Sequence, residues 1–562
     1  MNQRFLKYIS FFTVCLLTCL SLTRAQELKK EIYVTSPFRP EITEADKLST
    51  MPSASDTFSV ISSINYTVIP SGLKPEFTLR PIKPAKMVGT PLDQLYNSQL
   101  KLGIGNYFTP LAEYSIQNLR SKEYAVGAYF AHKSSHRKQD MGLEEKVPAG
   151  YGKNNLMAYG TKFYKNVDLY AELGGGNYKI RHYGINHFIL SDSFVVDREE
   201  IRQSYYNVYA KAGLFSTNPD SSKLAYNLDL TGKYFWDRFD WKEPSLNVSG
   251  SLSKLTKGIQ YGIEAMYNLY FLRNPLDSFD QSKLTIHPFF RKIKGEWQVE
   301  IGGTATAIWH GDEFSTVKFH PVAKLQIKVI DKAMYGFIGI SGYVEQNPYQ
   351  EMVEKNPFVI PGLYDSVTNH AYNIYAGIEG FFSRKASYKL MMAFKSVEDM
   401  IFFNNYPFSP FQNRFYVVND DVSIINYKAE VAWQPLQFLS FYLKAEYNDY
   451  RLSSLNRPWH WPAGKVLFTT RYNFKKKVYA ELEFLTLGKR YAIDLNPLFA
   501  PGYTTEIILK PVYDLNLKLE YRYSDMLSIF LDMYNMANQK YFLWNQYPAQ
   551  RFTILGGFIY KF

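Results

Sequence analysis

The sequence predicts an all-β fold, a transmembrane antiparallel barrel of about 22 strands that follows a cleaved signal peptide and a proline-rich N-terminal arm. Three observations carry that expectation. The chain opens on a short apolar leader, its later tracts alternate apolar and polar residues at every step, and the connections between those tracts sort into short and long.

The leader comes first in the chain. Arg4 and Lys7 precede an apolar run over 8–22, and Thr23-Arg24-Ala25 stands before Gln26, which together form a charged region, an apolar region and a small-residue site for cleavage between Ala25 and Gln26. The run falls short of the roughly 20 residues a spanning helix needs. A lipoprotein would need a small residue before Cys19, where Leu17 and Thr18 stand. Both cysteines, Cys15 and Cys19, lie in the leader, so residues 26–562 hold no thiol for a disulfide, for nucleophilic catalysis or for soft-metal ligation. The formal charge of +12 includes Arg4, Lys7 and Arg24. No run of five or six basic residues follows the leader, and nucleic acid is not an expected partner.

Residues 26–97 carry Pro37, Pro40, Pro52, Pro70, Pro75, Pro81, Pro84 and Pro91, which interrupt any long strand or helix. They read as an extended periplasmic or lumenal arm, with a flexible linker as the alternative.

Residues 98–562 read as the barrel. With Tyr 46, Phe 41 and Trp 8 the chain is 17% aromatic, and its mean hydropathy is nevertheless −0.26. That combination fits aromatic girdles on half-polar strands. Leu515, Leu517, Leu519, Tyr521 and Tyr523 share one face of an extended chain, and Asn516, Lys518, Glu520 and Arg522 share the other. Leu224, Tyr226, Leu228, Leu230 and Tyr234 alternate with Asn227, Asp229, Thr231 and Lys233 in the same way. So do Leu439, Phe441, Leu443 and Tyr447 with Ser440, Lys444, Glu446 and Asn448. From about residue 124, short connections such as 164–166, 255–258, 383–386 and 475–477 are expected to alternate strictly with long ones such as 134–154, 184–202, 346–369 and 399–421. Tight turns on the periplasmic side and loops outside give that order in the outer membrane of a Gram-negative bacterium.

The chain ends with aromatic residues at Phe558, Tyr560 and Phe562, which resembles the C-terminal signal read by the barrel assembly machinery. The final hairpin, with Asn535, Asn538, Lys540 and Tyr541 before a loop and a terminal strand, resembles the last strands of TonB-dependent receptors. Glu31-Ile32-Tyr33-Val34-Thr35-Ser36 resembles the TonB box of that family, a segment that pairs with TonB as an added strand. A β-prone hexamer without a partner is the alternative reading. The resemblance implies outer-membrane lipids, the assembly machinery and TonB or another periplasmic protein as partners. It also implies a wide lumen that is normally plugged. The residues before 98 are too few, and too poor in glycine, for that globular plug, so the expectation is a plug-deficient relative whose lumen is occluded by the arm, the loops or a partner.

No enzyme, cofactor or metal site is expected. His132 and His136 lie where a strand runs into a loop, and there a spacing of four does not put two rings on one face. His460 between Trp459 and Trp461, and the crowd of Phe402, Phe403, Tyr406, Phe408 and Phe411, suit either closure of the barrel mouth or ligand stacking, with closure favoured. Lumenal charges of both signs, among them Lys324, Lys328, Lys444, Glu446, Lys518, Glu520 and Arg522, are expected to satisfy one another. The function expected is transport or ligand binding at the outer membrane. The alternative is a non-transporting barrel subunit of an outer-membrane assembly or secretion complex.

Overall fold

A sheet of strands that alternate in polarity can bury its backbone in hydrocarbon only by closing, because an open edge would leave N–H and C=O groups unpaired. The computed structural model describes residues 95–185, 195–217, 223–273, 278–311, 313–331, 333–361, 367–406, 414–494 and 505–562. Within them 22 strands, from Ser98–Gly105 to Thr553–Lys561, pair antiparallel in one sheet. The sheet closes where the first strand pairs with the last, from Gln99 against Lys561 to Gly105 against Leu555. The expected signal-peptide cleavage site at Ala25 and Gln26, the TonB-box-like hexamer and the arm up to residue 94 lie outside the described residues.

The period-two pattern explains both surfaces of this wall. Leu228, Leu230 and Tyr234 on the strand Ala225–Asp237 are exposed on the outer face, and so are Leu443 and Tyr447 on Leu439–Leu452 and Tyr521 on Val512–Arg522. The opposite register turns charges inward, where they pair across neighbouring strands: Lys518 with Glu481 at 2.9 Å, Lys444 with Glu430 at 3.4 Å and Lys428 with Glu446 at 3.8 Å. Arg522 and Glu520 pair at 3.4 Å. No helix among the described residues is long and apolar enough to cross a membrane. The closed 22-strand sheet carries an apolar outer belt, the surface that a membrane-spanning barrel requires.

The strict alternation of connection length is corrected in one respect. All the long connections gather at one end, but that end also has the short ones 106–108, 238–241, 274–277 and 311–312. There the extra chain is spent in the strands themselves, such as Ser278–Lys294 and Glu313–Ile330, which continue their pairing beyond the length a bilayer requires. For the same reason the stretch 399–421 is mostly strand, since Ala386–Asn405 and Phe415–Leu436 run into it from both sides.

The closing seam needs two small residues. Gly103 pairs with Gly557. A Cβ on Gly557 would run into the Leu102 carbonyl oxygen, and one on Gly103 would meet Phe530 Cζ at 2.8 Å. Gly557→Val should therefore abolish or severely slow closure. Heat-modifiable migration on SDS gels checks this, and a variant that folds like the parent would refute it.

Candidate functional site

The strand ends at the loop side continue into connections that fold over the barrel mouth. Their buried side chains form one apolar cluster, with Met141, Leu143 and Val147 from 136–150, Tyr183 and Ile185 from 182–201, Met352, Phe358 and Val359 from 347–366, and Tyr547 from 535–552. Phe403 and Phe415, at the ends of two strands, complete it. Hydrophobic burial drives this packing as it would in a soluble core.

Its centre is a set of three rings. Phe358 stacks on Tyr547 at a centroid distance of 3.6 Å, and Tyr183 meets Tyr547 at 5.0 Å and Phe358 at 6.3 Å, both edge to face. These rings come from connections separated by eight, eight and six strand positions around the 22-strand ring. The contact therefore spans the mouth. Arg137, which is buried, ties the set together: its Nη2 donates to Tyr183 Oη at 3.2 Å and to the Pro548 carbonyl at 3.2 Å, which also accepts from Tyr183 Oη at 3.0 Å.

A short helix, Tyr349–Lys355, hangs within this lid and was missed by sequence reasoning. Its signal was present in the chain: Tyr349, Met352 and Val353 share one face after Pro348, with Glu351 in the first turn and Lys355 in the last. Two carboxylates at strand ends dock it. Glu243 accepts from the Tyr349 and Gln350 amides at the helix start, and Asp237 Oδ2 accepts from Tyr349 Oη at 2.9 Å and from Gln203 Nε2 at 2.9 Å. The polar face of the helix, with Gln350, Glu351, Glu354 and Lys355, lines a lumenal cavity of about 350 Å³ together with Lys233 and Tyr270. Charges of both signs share that basin. Burial holds the Glu351 carboxyl above its ordinary range.

The second half of the lid is built around His460. Both His460 and Trp459 are buried, and Phe402 and Phe403 are fully enclosed, so these residues close the mouth and do not present rings to solvent. Phe408 and Phe411 lie outside the described residues. His460 Nδ1 donates to the Phe403 carbonyl at 2.8 Å, and its Nε2 accepts from the Asn545 amide at 3.3 Å. That pair of contacts requires the neutral imidazole with its proton on Nδ1. Asp420 holds the same loop by accepting from the amides of Ser453, Ser454 and Leu455 at 2.9 to 3.1 Å. His182 is also enclosed, and among the described residues neither of its ring nitrogens has a hydrogen-bond partner.

The remaining sequence-singled residues fall elsewhere. His132 Nδ1 lies 2.6 Å from Asn154 Oδ1, and His136 Nδ1 lies 3.1 Å from the Phe108 carbonyl, so each ring has its own partner. Among the described residues no three His, Cys, Asp or Glu side chains converge as a metal site. Phe558, Tyr560 and Phe562 stand exposed on the outer face of the last strand or just beyond it. Asn535 and Asn538 both take left-handed backbone, with φ of 48° and 50°. Asn535 Nδ2 donates to the Gln539 and Gln550 carbonyls, and the Asn538 carbonyl accepts from Arg551. An asparagine-rich turn is thus what this hairpin needs.

Solved structures share this architecture. The pyoverdine outer membrane receptor FpvA of Pseudomonas aeruginosa PAO1 superposes with a TM-score of 0.63 at 11% identity, covering 84% of this chain and 79% of that one. The chain has the barrel fold of the TonB-dependent receptors. The FrpB iron transporter of Neisseria meningitidis gives 0.63 at 10% identity, covering 84% and 82%. The ferric-catecholate import receptor Fiu of E. coli K12 gives 0.60 at 9% identity, also covering 84% and 82%. These neighbours are receptors and transporters, not enzymes. No protein-family model and no curated protein matches the sequence.

Two outcomes follow for the lid. Tyr547→Ala removes the ring that both other rings contact and should destabilise the lid locally by about 3–5 kcal/mol, read as faster tryptic cleavage at Lys540 and Arg551 with the barrel intact. Burial and the nearby Arg490 hold the His460 imidazole down at about 3, from an ordinary 6.5, although its bond to the Phe403 carbonyl works the other way. The unfolded lid thus binds the proton more readily. Its stability should be full above pH 6.5 and decline as pH falls toward 3. Fluorescence of Trp459, Trp461 and Trp544 reports this, and His460→Gln should flatten the profile.

Proposed function

We propose that this protein is a relative of the TonB-dependent receptors that binds or passes a ligand at the outer membrane, with the loop-built lid as its gate. The observation that carries the reading is the ring set Tyr183, Phe358 and Tyr547, which spans the mouth of a barrel wide enough to need occlusion. A lumen of 22 strands left open would breach the membrane barrier. A lid of packed aromatic residues over a polar basin supplies that closure at the mouth. In this reading the hexamer Glu31 to Ser36 recruits TonB by strand addition, the leader is cut between Ala25 and Gln26, and Phe558, Tyr560 and Phe562 present the barrel to its assembly machinery.

A second reading, the non-transporting subunit of an assembly or secretion complex, is favoured by one observation. The lid is packed as tightly as a protein core, with Phe358 stacked on Tyr547 and Phe402 and Phe403 fully buried, and such a lid opens only at substantial cost. Gentle purification followed by mass spectrometry separates the two. A lone barrel with a bound small molecule supports the gate, and a stoichiometric protein complex supports the subunit.

In planar bilayers the purified full chain should show little conductance, and Tyr183→Ala/Phe358→Ala/Tyr547→Ala should open it. A large stable conductance from the parent protein would refute a closed lid. In cells, deletion of the gene should abolish uptake of a nutrient, and Val34→Pro or Thr35→Pro should reproduce that loss. Unchanged uptake in both would count against the receptor reading.

A further inference from the structure

The two ends of the barrel differ in charge. Ten turns, totalling 35 residues, join strands at the end where both Ser98 and Phe562 lie. Counted along the sequence they hold eleven Lys and Arg against five Asp and Glu. The eleven connections at the lid end are far longer, yet they hold thirteen basic against fifteen acidic residues. The basic excess of the barrel's connections is therefore confined to the turn end.

Its distribution is circumferential. Lys122, Lys165, Lys257, Arg384 and Lys475 to Lys477 sit in turns spaced around the ring. On the adjoining strand ends Lys162, Lys254 and Lys294 share the outward register of Leu156, Leu252 and Phe290, which face lipid. Just beside the turns the exposed aromatics Tyr164, Trp297, Phe382, Phe438, Phe474 and Tyr523 mark the membrane interface. Among the described residues, the one of these cations in an ion pair is Lys162, which lies 3.7 Å from Glu123.

A protein partner docks on one contiguous patch, whereas a ring of cations around the whole barrel at the level of an aromatic girdle matches an annulus of lipid headgroups. We propose that this ring binds anionic phospholipid headgroups of the inner leaflet, of the phosphatidylglycerol class, in preference to zwitterionic ones. The proposal rests on the outer-membrane orientation, with turns toward the periplasm, and is independent of whether the barrel transports. Lipid bound here fixes the depth of the barrel and keeps its turn end level with the leaflet surface.

The test uses the purified full chain in detergent with equal amounts of phosphatidylglycerol and phosphatidylethanolamine, and counts bound lipid by native mass spectrometry. Enrichment of phosphatidylglycerol by about threefold or more is expected, falling as salt rises from about 0.1 to 0.5 M. Lys165→Asn/Lys257→Asn/Lys475→Asn/Lys476→Asn/Lys477→Asn should remove most of it. Asparagine is chosen because Lys257, Lys475 and Lys476 have φ of 51°, 50° and 57°. Lys138→Asn/Lys146→Asn at the lid end should leave it intact. Heat-modifiable migration confirms that both variants fold, and the salt titration needs no variant. Equal occupancy by the two lipids, or an enrichment indifferent to salt and to the turn substitutions, overturns the proposal. Binding of poly-glutamate without any lipid preference overturns it in favour of an acidic protein partner.

Discussion

Backbone hydrogen bonding in a medium without water governs this molecule. Each N–H and C=O within the hydrocarbon must find a partner in the chain, and for strands the only complete solution is a closed ring. The pairing of Ser98–Gly105 with Thr553–Lys561 is the bond on which closure depends, and the two glycines at that seam let the strands approach. Once the ring is closed, the strict alternation of side chains follows. Apolar residues meet lipid, and charges such as Lys518 and Glu481 turn inward and neutralise one another.

Closing a ring of 22 strands creates a second problem, because the lumen is too wide for strand side chains to fill. The chain answers with loops that behave as a small core of their own. Tyr183, Phe358 and Tyr547 arrive from three sectors of the ring and stack, and polar groups, namely Arg137 in a loop, Asp237 and Glu243 at strand ends and Asp420 within a long strand, fix the loops by accepting from or donating to their backbone and tyrosine hydroxyls. Apolar burial supplies the adhesion and these directed bonds supply the register, so the lid has one arrangement. Beneath it the mixed charges around Lys233, Glu351 and Lys355 leave a polar basin in contact with the lumen.

Much of the wall was legible in the sequence, because a period of two between lipid and lumen is written residue by residue. Leu515 to Tyr523 and Leu439 to Tyr447 read correctly for that reason. Connection lengths were less legible, since a strand that outgrows the bilayer, such as Glu313–Ile330, keeps its alternation and hides where the membrane ends. The lid was visible only as excess aromatic residues in loops. His460 and Phe402 pointed to closure, but which rings meet depends on three connections far apart in sequence, and no local pattern encodes that. The helix Tyr349–Lys355 spans under two turns, so its only local marks were one short apolar face and a charge near each end, easily passed over inside a long loop.

Closure of the mouth depends on the loops forming a packed lid. Hydrogen–deuterium exchange of the full chain in a lipid nanodisc measures this directly at the amides of 180–185, 349–359 and 453–461. Exchange there nearly as slow as in the barrel strands is the predicted result. Exchange at the rate of an unstructured peptide, with the strands still protected, would contradict it.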